Sequence, residues 1–355
     1  MSLINCTSKT IVLIPHNRPT LGLEEEEAAL RVIRSGWVAK GKEVESFENE
    51  FCEFMGLPKG HAAAVSSGTA ALFLALVMLG GSGKNVGSPG YVCSALRNAV
   101  YMSEGKNVLV DVGHNSPNID LGKLSEENPQ IAIVPHMFGI PINISNLKKI
   151  PIIEDCAHAL GARVNGKPVG LEGEFGIFSF YATKMITSCG QGGMIISKDK
   201  YLIKEIVDYV NFDNRRDKKK RFNFQMSDVQ AAMGRVQFSR LNEFIEKRDK
   251  IFRYYKDLGL PLIDIKYKNE NTSSVRYRII LMCKNPELIK RKLFIKNIAV
   301  INPLETQELL SENKQFKFAK KLTKSTISLP CYPSLKKSEL IKIGKEITKL
   351  EKYFN

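Results

Sequence analysis

Three short stretches of this chain carry residue types that can do chemistry together. Ser179-Phe180-Tyr181-Ala182-Thr183-Lys184 ends an apolar run in a lysine, and Pro151-Ile152-Ile153-Glu154-Asp155 ends another in an acid. Gly190-Gln191-Gly192-Gly193 then leads into the apolar Met194-Ile195-Ile196. The pattern is an acid at one strand end, a lysine just past a second strand, and a glycine turn into a third. Pyridoxal phosphate (PLP) chemistry needs those parts: a lysine amine to form a Schiff base with the cofactor aldehyde, and a carboxylate to pair with the pyridinium nitrogen. Taken singly, each residue has a plainer use. A lysine after a strand is commonly a solvated charge, and an Asp at a strand end is commonly a cap or turn residue.

The elements that must position these residues follow from periodicity. Glu24 to Ile33 reads as an acid-started helix with Ala28, Ala29, Val32 and Ile33 on its apolar stripe. Val44, Phe47, Phe51, Phe54 and Met55 recur at helical spacing, and Gly56 stops that helix. Thr69 through Leu79 is a strongly apolar helix behind Ser66-Ser67-Gly68. Strands are predicted at Asn107–Val112, Ile131–Pro135, Pro151–Asp155, Gly176–Phe180 and Met194–Ser197. The early ones alternate with helical stretches, which implies an α/β fold with a mainly parallel sheet covered on both faces. Met226 to about Tyr255 reads as one long helical stretch. Beyond about Gly259 the chain becomes lysine-rich, with short β-like runs such as Val275–Met282 and a last helix from about Ser338 to Tyr353. That change predicts a large domain over 1–250 and a smaller C-terminal α+β domain over 251–355.

Composition sets the bounds. The 355 residues are 43% hydrophobic and 25% charged, enough for two domains with sizeable cores. No apolar run approaches the length of a membrane span, and Met1-Ser2-Leu3-Ile4-Asn5-Cys6 lacks the pattern of a signal peptide. Seven cysteines occur without a CxxC pair, which predicts no disulfide framework and a reducing, cytoplasmic setting. The five histidines lack metal-ligand spacing, so no metal site is expected. The net charge of +15 would attract nucleic acid or a phosphorylated substrate. Its densest cluster, Arg215-Arg216-Asp217-Lys218-Lys219-Lys220-Arg221, has no interleaved aromatic until Phe222. We read it as a solvated loop rather than a nucleic-acid patch; a basic loop flanking an anionic substrate is the intermediate reading.

Two glycine-containing turns differ in what they offer. Ser66-Ser67-Gly68-Thr69 opens an apolar helix, where free backbone N–H groups favour phosphate, although Ser and Thr there more often serve as N-caps. Gly80-Gly81-Ser82-Gly83-Lys84 looks like a nucleotide loop but fails. A P-loop needs Gly where Met78 stands and Ser or Thr where Asn85 stands, and the dinucleotide fingerprint meets Val86 at its third glycine.

Several motifs occur in one order: Ser35-Gly36-Trp37 with Gly41-Lys42, Ser67-Gly68-Thr69-Ala70-Ala71-Leu72, Pro135-His136-Met137-Phe138-Gly139, Glu154-Asp155-Cys156-Ala157-His158-Ala159-Leu160-Gly161-Ala162, Ser179 to Lys184, and Gln230-Ala231-Ala232-Met233-Gly234. Together they resemble the DegT–StrS family of PLP-dependent sugar aminotransferases, from about Pro19 to Ser334. The resemblance implies a fold type I PLP-dependent transferase with a seven-stranded central sheet, a small C-terminal domain and a homodimer with shared active sites. It implies that Lys184 is the Schiff-base lysine and then the proton shuttle, and that Asp155 pairs with the pyridine nitrogen. Ala157 would pack on one ring face, with His158 near the ring hydroxyl. Gly68, Thr69 and Ser179 would hold the phosphate, and Asn223 would cross to the partner's phosphate. The donor implied is an amino acid, commonly glutamate, and the acceptor a keto group on a nucleotide-linked sugar.

Three positions depart from the family pattern. Cys93, in Pro89-Gly90-Tyr91-Val92-Cys93-Ser94, stands where an aromatic usually stacks on the outer ring face, with Tyr91 two residues away as a substitute. Gln191 replaces a glutamate in Gly-Glu-Gly-Gly, and Phe212-Asp213-Asn214 replaces a His-Gly before the cross-dimer loop. Related dehydratases carry His where Lys184 stands, so Lys184 argues against that activity. An aminotransferase for a cyclitol or other non-nucleotide ketone, and a PLP-binding regulatory protein without turnover, stay open on the sequence.

Overall fold

The computed structural model describes residues 13–147, 149–265, 271–310 and 316–354. Helices α1 (Leu23–Ser35) and α2 (Lys42–Met55) precede β1 (Ala62–Val65), α3 (Gly68–Met78), β2 (Asn85–Pro89), α4 (Ala95–Met102), β3 (Lys106–Val110), α5 (Leu121–Glu127), β4 (Ile131–Pro135) and β5 (Ile152–Asp155). Then come β6 (Arg163–Val164), β7 (Lys167–Pro168), β8 (Phe175–Ser179), β9 (Gly193–Ile196), α6 (Lys200–Val210), α7 (Asp228–Ser239) and α8 (Leu241–Asp257). The C-terminal part holds β10 (Thr272–Ser273), β11 (Ile279–Met282), α9 (Pro286–Ile295), α10 (Lys317–Ser325), β12 (Thr326–Leu329) and α11 (Lys337–Thr348).

The central sheet has seven strands in the order β1-β9-β8-β5-β4-β2-β3. Pairs β2–β3, β2–β4, β4–β5 and β5–β8 are parallel, whereas β9 is antiparallel to both β8 and β1. So β9 alone runs against the other six. Its strands are apolar on both faces, and alternate residues enter different cores. Ala63, Val65, Ile177 and Ile195 pack with α3, α4 and α6. Ala62, Ala64, Phe178, Met194 and Ile196 pack with α2, whose Phe47 and Phe51 are fully buried. A strand of period two whose two faces are both covered reads as a continuous apolar run, as these do.

Helix α3 shows why burial all round favours a helix at this position. Ser67 caps it by accepting from the Ala70 N–H at 3.1 Å, and its apolar residues meet β8 and β9 on one side and α4 on the other. The long helical stretch from Met226 is broken instead at Arg240, between α7 and α8. Helix α7 packs on α1 and α2, while α8 leaves the core around Phe47 and Phe51 at Leu241 and Phe244 and enters a second core at Ile251, Phe252 and Tyr255. That core lies on the antiparallel β11–β12 pair and includes Ile289, Leu293 and Ile343. The last helix stops at Thr348, and a 3₁₀ turn covers Glu351–Tyr353.

One carboxylate fixes the N-terminal helices to this frame. Asp228, at the start of α7 and buried, accepts the N–H groups of Gly41 at 2.8 Å, Val44 at 3.1 Å and Glu43 at 3.3 Å. These are unpaired donors at the start of α2, so Asp228 acts as that helix's cap from another element. Replacing Asp228 with Ala strands three amides and should cost about 2–3 kcal/mol in urea unfolding, with Asn restoring part of it. A loss below about 0.5 kcal/mol would mean water replaces the carboxylate freely.

Candidate active site

The parallel strands all end at one edge, and the loops after them meet there. Register holds the ends level: Pro135 opposes Asp155, Asp155 opposes Ile177, and Gly193 lies between Val65 and Ser179. Crevices outside the carboxyl ends of such strands are where α/β sheets bind ligands. A cleft of about 210 Å³ opens at this point. Its wall takes Ser67, Gly68 and Thr69 from after β1, Cys93 and Leu96 from after β2, His136 and Met137 from after β4, Asp155, Ala157 and His158 from β5 onward, and Ser179, Tyr181 and Lys184 from β8 onward. Gln191 closes the rim.

Eight residues chosen from sequence therefore share one cleft: Gly68, Thr69, Cys93, Asp155, Ala157, His158, Ser179 and Lys184. Asn223 does not join them in its own chain. It is exposed, its Oδ1 accepts the Gln225 N–H at 3.4 Å, and the neighbouring Phe224 carbonyl accepts the Ser66 N–H at 2.8 Å. Tyr91 does not substitute for the missing aromatic. It is buried behind the cleft, edge-on to Phe138 with ring centroids 6.1 Å apart, while Cys93 is exposed to the cleft. The basic cluster folds back on acids: Arg215 and Arg221 both pair with Asp208, and Arg221 also reaches Asp217 at 2.6 Å.

The end of the cleft at the start of α3 is a cradle of backbone. Gly68 and Thr69 are the first residues of α3, ahead of the first intrahelical bond from Ala71 N–H to the Ser67 carbonyl. A Cβ at Gly68 would stand 2.8 Å from the Ser179 Cβ and 3.3 Å from its Cα, so only glycine lets β8 and α3 approach this closely. Gly193 serves the same approach from β9, since a Cβ there would lie 2.5 Å from the Ser67 carbonyl carbon. Among the described residues the Gly68 and Thr69 N–H groups have no acceptor; with the helix dipole and the hydroxyls of Thr69 and Ser179 they make a site for an anion.

At the other end the electrostatics are those of a dry cleft. Burial pushes the Asp155 carboxyl up, against the Ala157 N–H that donates to it at 3.0 Å and the nearby Lys184 cation. Among the described residues that amide is its one hydrogen-bond donor. A cationic ring nitrogen set against Asp155 would supply the missing positive partner. Burial and the Lys184 and Arg278 cations hold the His158 ring well below its usual range, so it is neutral. Its Nδ1 accepts the Phe138 N–H at 3.4 Å, which puts the ring proton on Nε2 as a donor. Lys184 sits on a turn closed by its N–H to the Tyr181 carbonyl at 2.9 Å, and Asn17 anchors the turn through the Thr183 carbonyl at 3.0 Å. Burial raises the Cys93 thiol, so the residue offers the cleft an apolar sulfur.

Sequence reasoning missed two contributors. His136 and Glu154 form a buried pair at 3.1 Å directly beneath the cleft. With Cys156 their ligand atoms lie within 4.8 Å of one another, but the hydrogen bonds of Glu154 and of both His136 nitrogens already engage them. Tyr277, from the residues leading into β11, has its ring 5.3 Å from the Lys184 Nζ. The signal for it was slight: an aromatic beside Arg278 within a short β-like run.

This geometry defines a class, the fold type I PLP-dependent transferases: a mostly parallel sheet with a strand-end acid, a lysine beyond the next strand, and a phosphate cradle at a helix start. The sequence profile of the DegT/DnrJ/EryC1/StrS aminotransferase family matches residues 19–348, and the chain belongs to that family of PLP-dependent aminotransferases. Its sequence is 29% identical over 372 aligned positions to GDP-perosamine synthase of Vibrio cholerae, covering 97% of this chain and all of that one. Its fold matches the aminotransferase TlmJ from Streptoalloteichus hindustanus with a TM-score of 0.88 at 24% identity, covering 95% of this chain and 98% of that one. The Streptococcus pneumoniae protein Spr1654 in its PLP form matches with a TM-score of 0.86 at 22% identity, covering 96% and 99%.

Cys93 gives a direct test of the cleft. An aromatic stacked on a flat ring is worth roughly 0.5–1.5 kcal/mol beyond its area, and a thiol gives less. Cys93→Phe should tighten PLP binding about two- to tenfold by equilibrium titration. Unchanged or weaker affinity would show that Cys93 does not face the cofactor ring.

Proposed function

We propose that the protein moves an amino group from an amino acid, glutamate being the expected donor, to the keto group of a nucleotide-linked sugar. The observation that carries this reading is the meeting of Asp155 and Lys184 in one cleft with the start of α3. The similarity to a GDP-perosamine synthase over nearly the whole chain supports a sugar as acceptor. The lysine-rich C-terminal third and the basic segment 215–221 suit an anionic, phosphate-bearing substrate.

When bound, PLP supplies an electron sink that lets a carbon–hydrogen bond beside nitrogen be broken and remade. The Gly68 and Thr69 amides and the Ser179 hydroxyl would hold its phosphate. Asp155 would keep the ring nitrogen positive, His158 would donate from Nε2 to the ring hydroxyl, and Ala157 and Cys93 would lie against opposite ring faces. Lys184 would carry the cofactor at Nζ and, once released by the incoming amine, take the proton at Nζ and return it. The exposed Asn223 would serve a neighbouring subunit's phosphate, which makes the working unit a homodimer with shared sites.

Two experiments test the assignment. Borohydride reduction of the PLP-loaded protein, followed by peptide mapping, should leave the pyridoxyl group on Lys184. Lys184→Ala should abolish transamination yet retain noncovalent PLP; a label on another lysine overturns the assignment. For shared sites, Lys184→Ala and Asn223→Ala chains should each be impaired alone. Mixed after subunit exchange, they should regain activity, because each heterodimer rebuilds one complete site. Full activity from isolated Asn223→Ala chains would refute the exchange of residues between subunits. Keto sugar nucleotides screened by mass spectrometry for the amino product would identify the acceptor.

A further inference from the structure

Tyr277 is a buried phenol from the C-terminal domain that touches the large-domain site at two places. Its ring lies under the Lys184 Nζ, 5.3 Å from the centroid. The same ring stacks on His158 at 4.2 Å with 20° between planes. Its backbone is fixed from two sides. The Tyr277 carbonyl accepts Arg248 Nη1 at 3.2 Å, and the flanking Val275 and Arg278 N–H groups bond the Gly139 and Phe138 carbonyls at 3.1 and 3.4 Å. The Arg278 guanidinium carbon lies 5.7 Å from the centroid of the same ring. A side chain held this firmly cannot drift from the lysine it faces.

The geometry points to Tyr277 as a positioning residue for Lys184: its ring face lies under the side-chain Nζ, so the seating of the segment leading into β11 sets how readily Lys184 gains and loses its proton. The inference rests on Lys184 being the reacting lysine. A base that must accept a proton from carbon gains from a partner that stabilises its charged form, and an aromatic face does so without competing for the amine's lone pair.

The charges around the pair agree. Tyr277 faces Lys184, Arg278 and the neutral His158, with Arg248 at its carbonyl. Lys184 in turn faces Asp155, Cys93, His158 and Tyr277. Burial raises the phenol, but the Lys184 and Arg278 cations bring it down to about 8. Coupling of this kind is reciprocal: whatever Lys184 does to the Tyr277 titration, Tyr277 does to that of Lys184.

The test follows both members of the pair in the full-length, PLP-free protein. Competitive acetylation with mass spectrometry gives the titration midpoint of Lys184. Tyr277→Leu should lower it by about half a unit to one and a half units, the size of a partly desolvated cation–aromatic contact. Tyr277→Phe should keep most of that shift's opposite and lose only the component that titrates near pH 8. Conversely, carbon-13 NMR of labelled tyrosine should show Tyr277 titrating higher in Lys184→Ala than in the native chain. An unmoved Lys184 midpoint in folded Tyr277→Leu, or an unmoved Tyr277 in Lys184→Ala, overturns the proposal. Should Tyr277→Leu not fold, the Lys184→Ala arm decides alone. Borohydride labelling away from Lys184 with the coupling intact would refute the functional reading and leave the pair standing.

Discussion

The site depends on a carboxylate that faces away from it. Glu154 is the next-to-last residue of β5, and a strand points successive side chains to opposite faces, so fixing Glu154 on one side aims Asp155 at the other. Its Oε1 accepts the Glu172 and Gly173 N–H groups at 2.6 and 2.9 Å, and its Oε2 accepts Gly170 N–H at 2.8 Å and His136 Nε2 at 3.1 Å. Burial would push this carboxyl up, but the His136 contact and the amides hold it below the ordinary range, so it stays ionised. One side chain thereby ties the end of β4, the end of β5 and the loop entering β8. Those elements deliver His136, Asp155 and, through Ser179, Lys184. Charge-assisted bonds in a dry interior are short and strong, and leaving any of these donors unpaired is costly. The edge of the sheet therefore has one arrangement.

What was legible in the sequence was legible for a physical reason. Asp155 and Lys184 stand where apolar runs end, and a strand that stops at a charged residue advertises both its boundary and its chemistry. Helices α1 to α3 were equally plain, because their apolar stripes and the glycine after α2 are local features. Strands β1 and β2 were not. Ala62-Ala63-Ala64-Val65 has the composition of a helix, and Asn85-Val86-Gly87-Ser88-Pro89 that of a loop; each is a strand because neighbours on both sides complete its hydrogen bonds. The break at Arg240 was hidden for the same reason. Nothing in local propensity interrupts the helix there, and the turn exists because α7 and α8 belong to different cores.

The site residues divide in the same way. Residues that act through backbone position, such as Gly68 and Gly193, carry a signature because only glycine fits. Residues that act through long-range packing carry almost none. Tyr277 follows Lys184 by more than ninety positions and reaches it only because Arg248, a buried cation on α8, holds the Tyr277 and Cys331 carbonyls together at 3.2 and 2.6 Å. The aromatic expected on the cofactor's outer face illustrates the reverse error. Tyr91 is near Cys93 in sequence, but Gly90 lies under Phe316 and the loop is pinned by Leu310 N–H to the Gly90 carbonyl at 3.0 Å. With the backbone fixed there, Tyr91 is committed to the core, and Cys93 is the residue the cleft receives.

The resulting cleft is short of positive charge at one end and of negative charge at the other. Among the described residues, Asp155 is buried with one N–H donor and the Lys184 charge near it, and the first amides of α3 have no acceptor. A ligand with a cationic ring nitrogen and an anionic phosphate satisfies both ends at once, whereas a neutral or singly charged molecule leaves one end unpaid in hydrogen bonds. The fixed separation of β5 and β1 across the sheet sets how far apart those two charges must be. This is selection by electrostatic spacing, and it needs no close fit around the ring itself. A small Cys93 is compatible with such a cleft: where both ends of a ligand are held by charge, a contact on its face adds affinity without deciding identity.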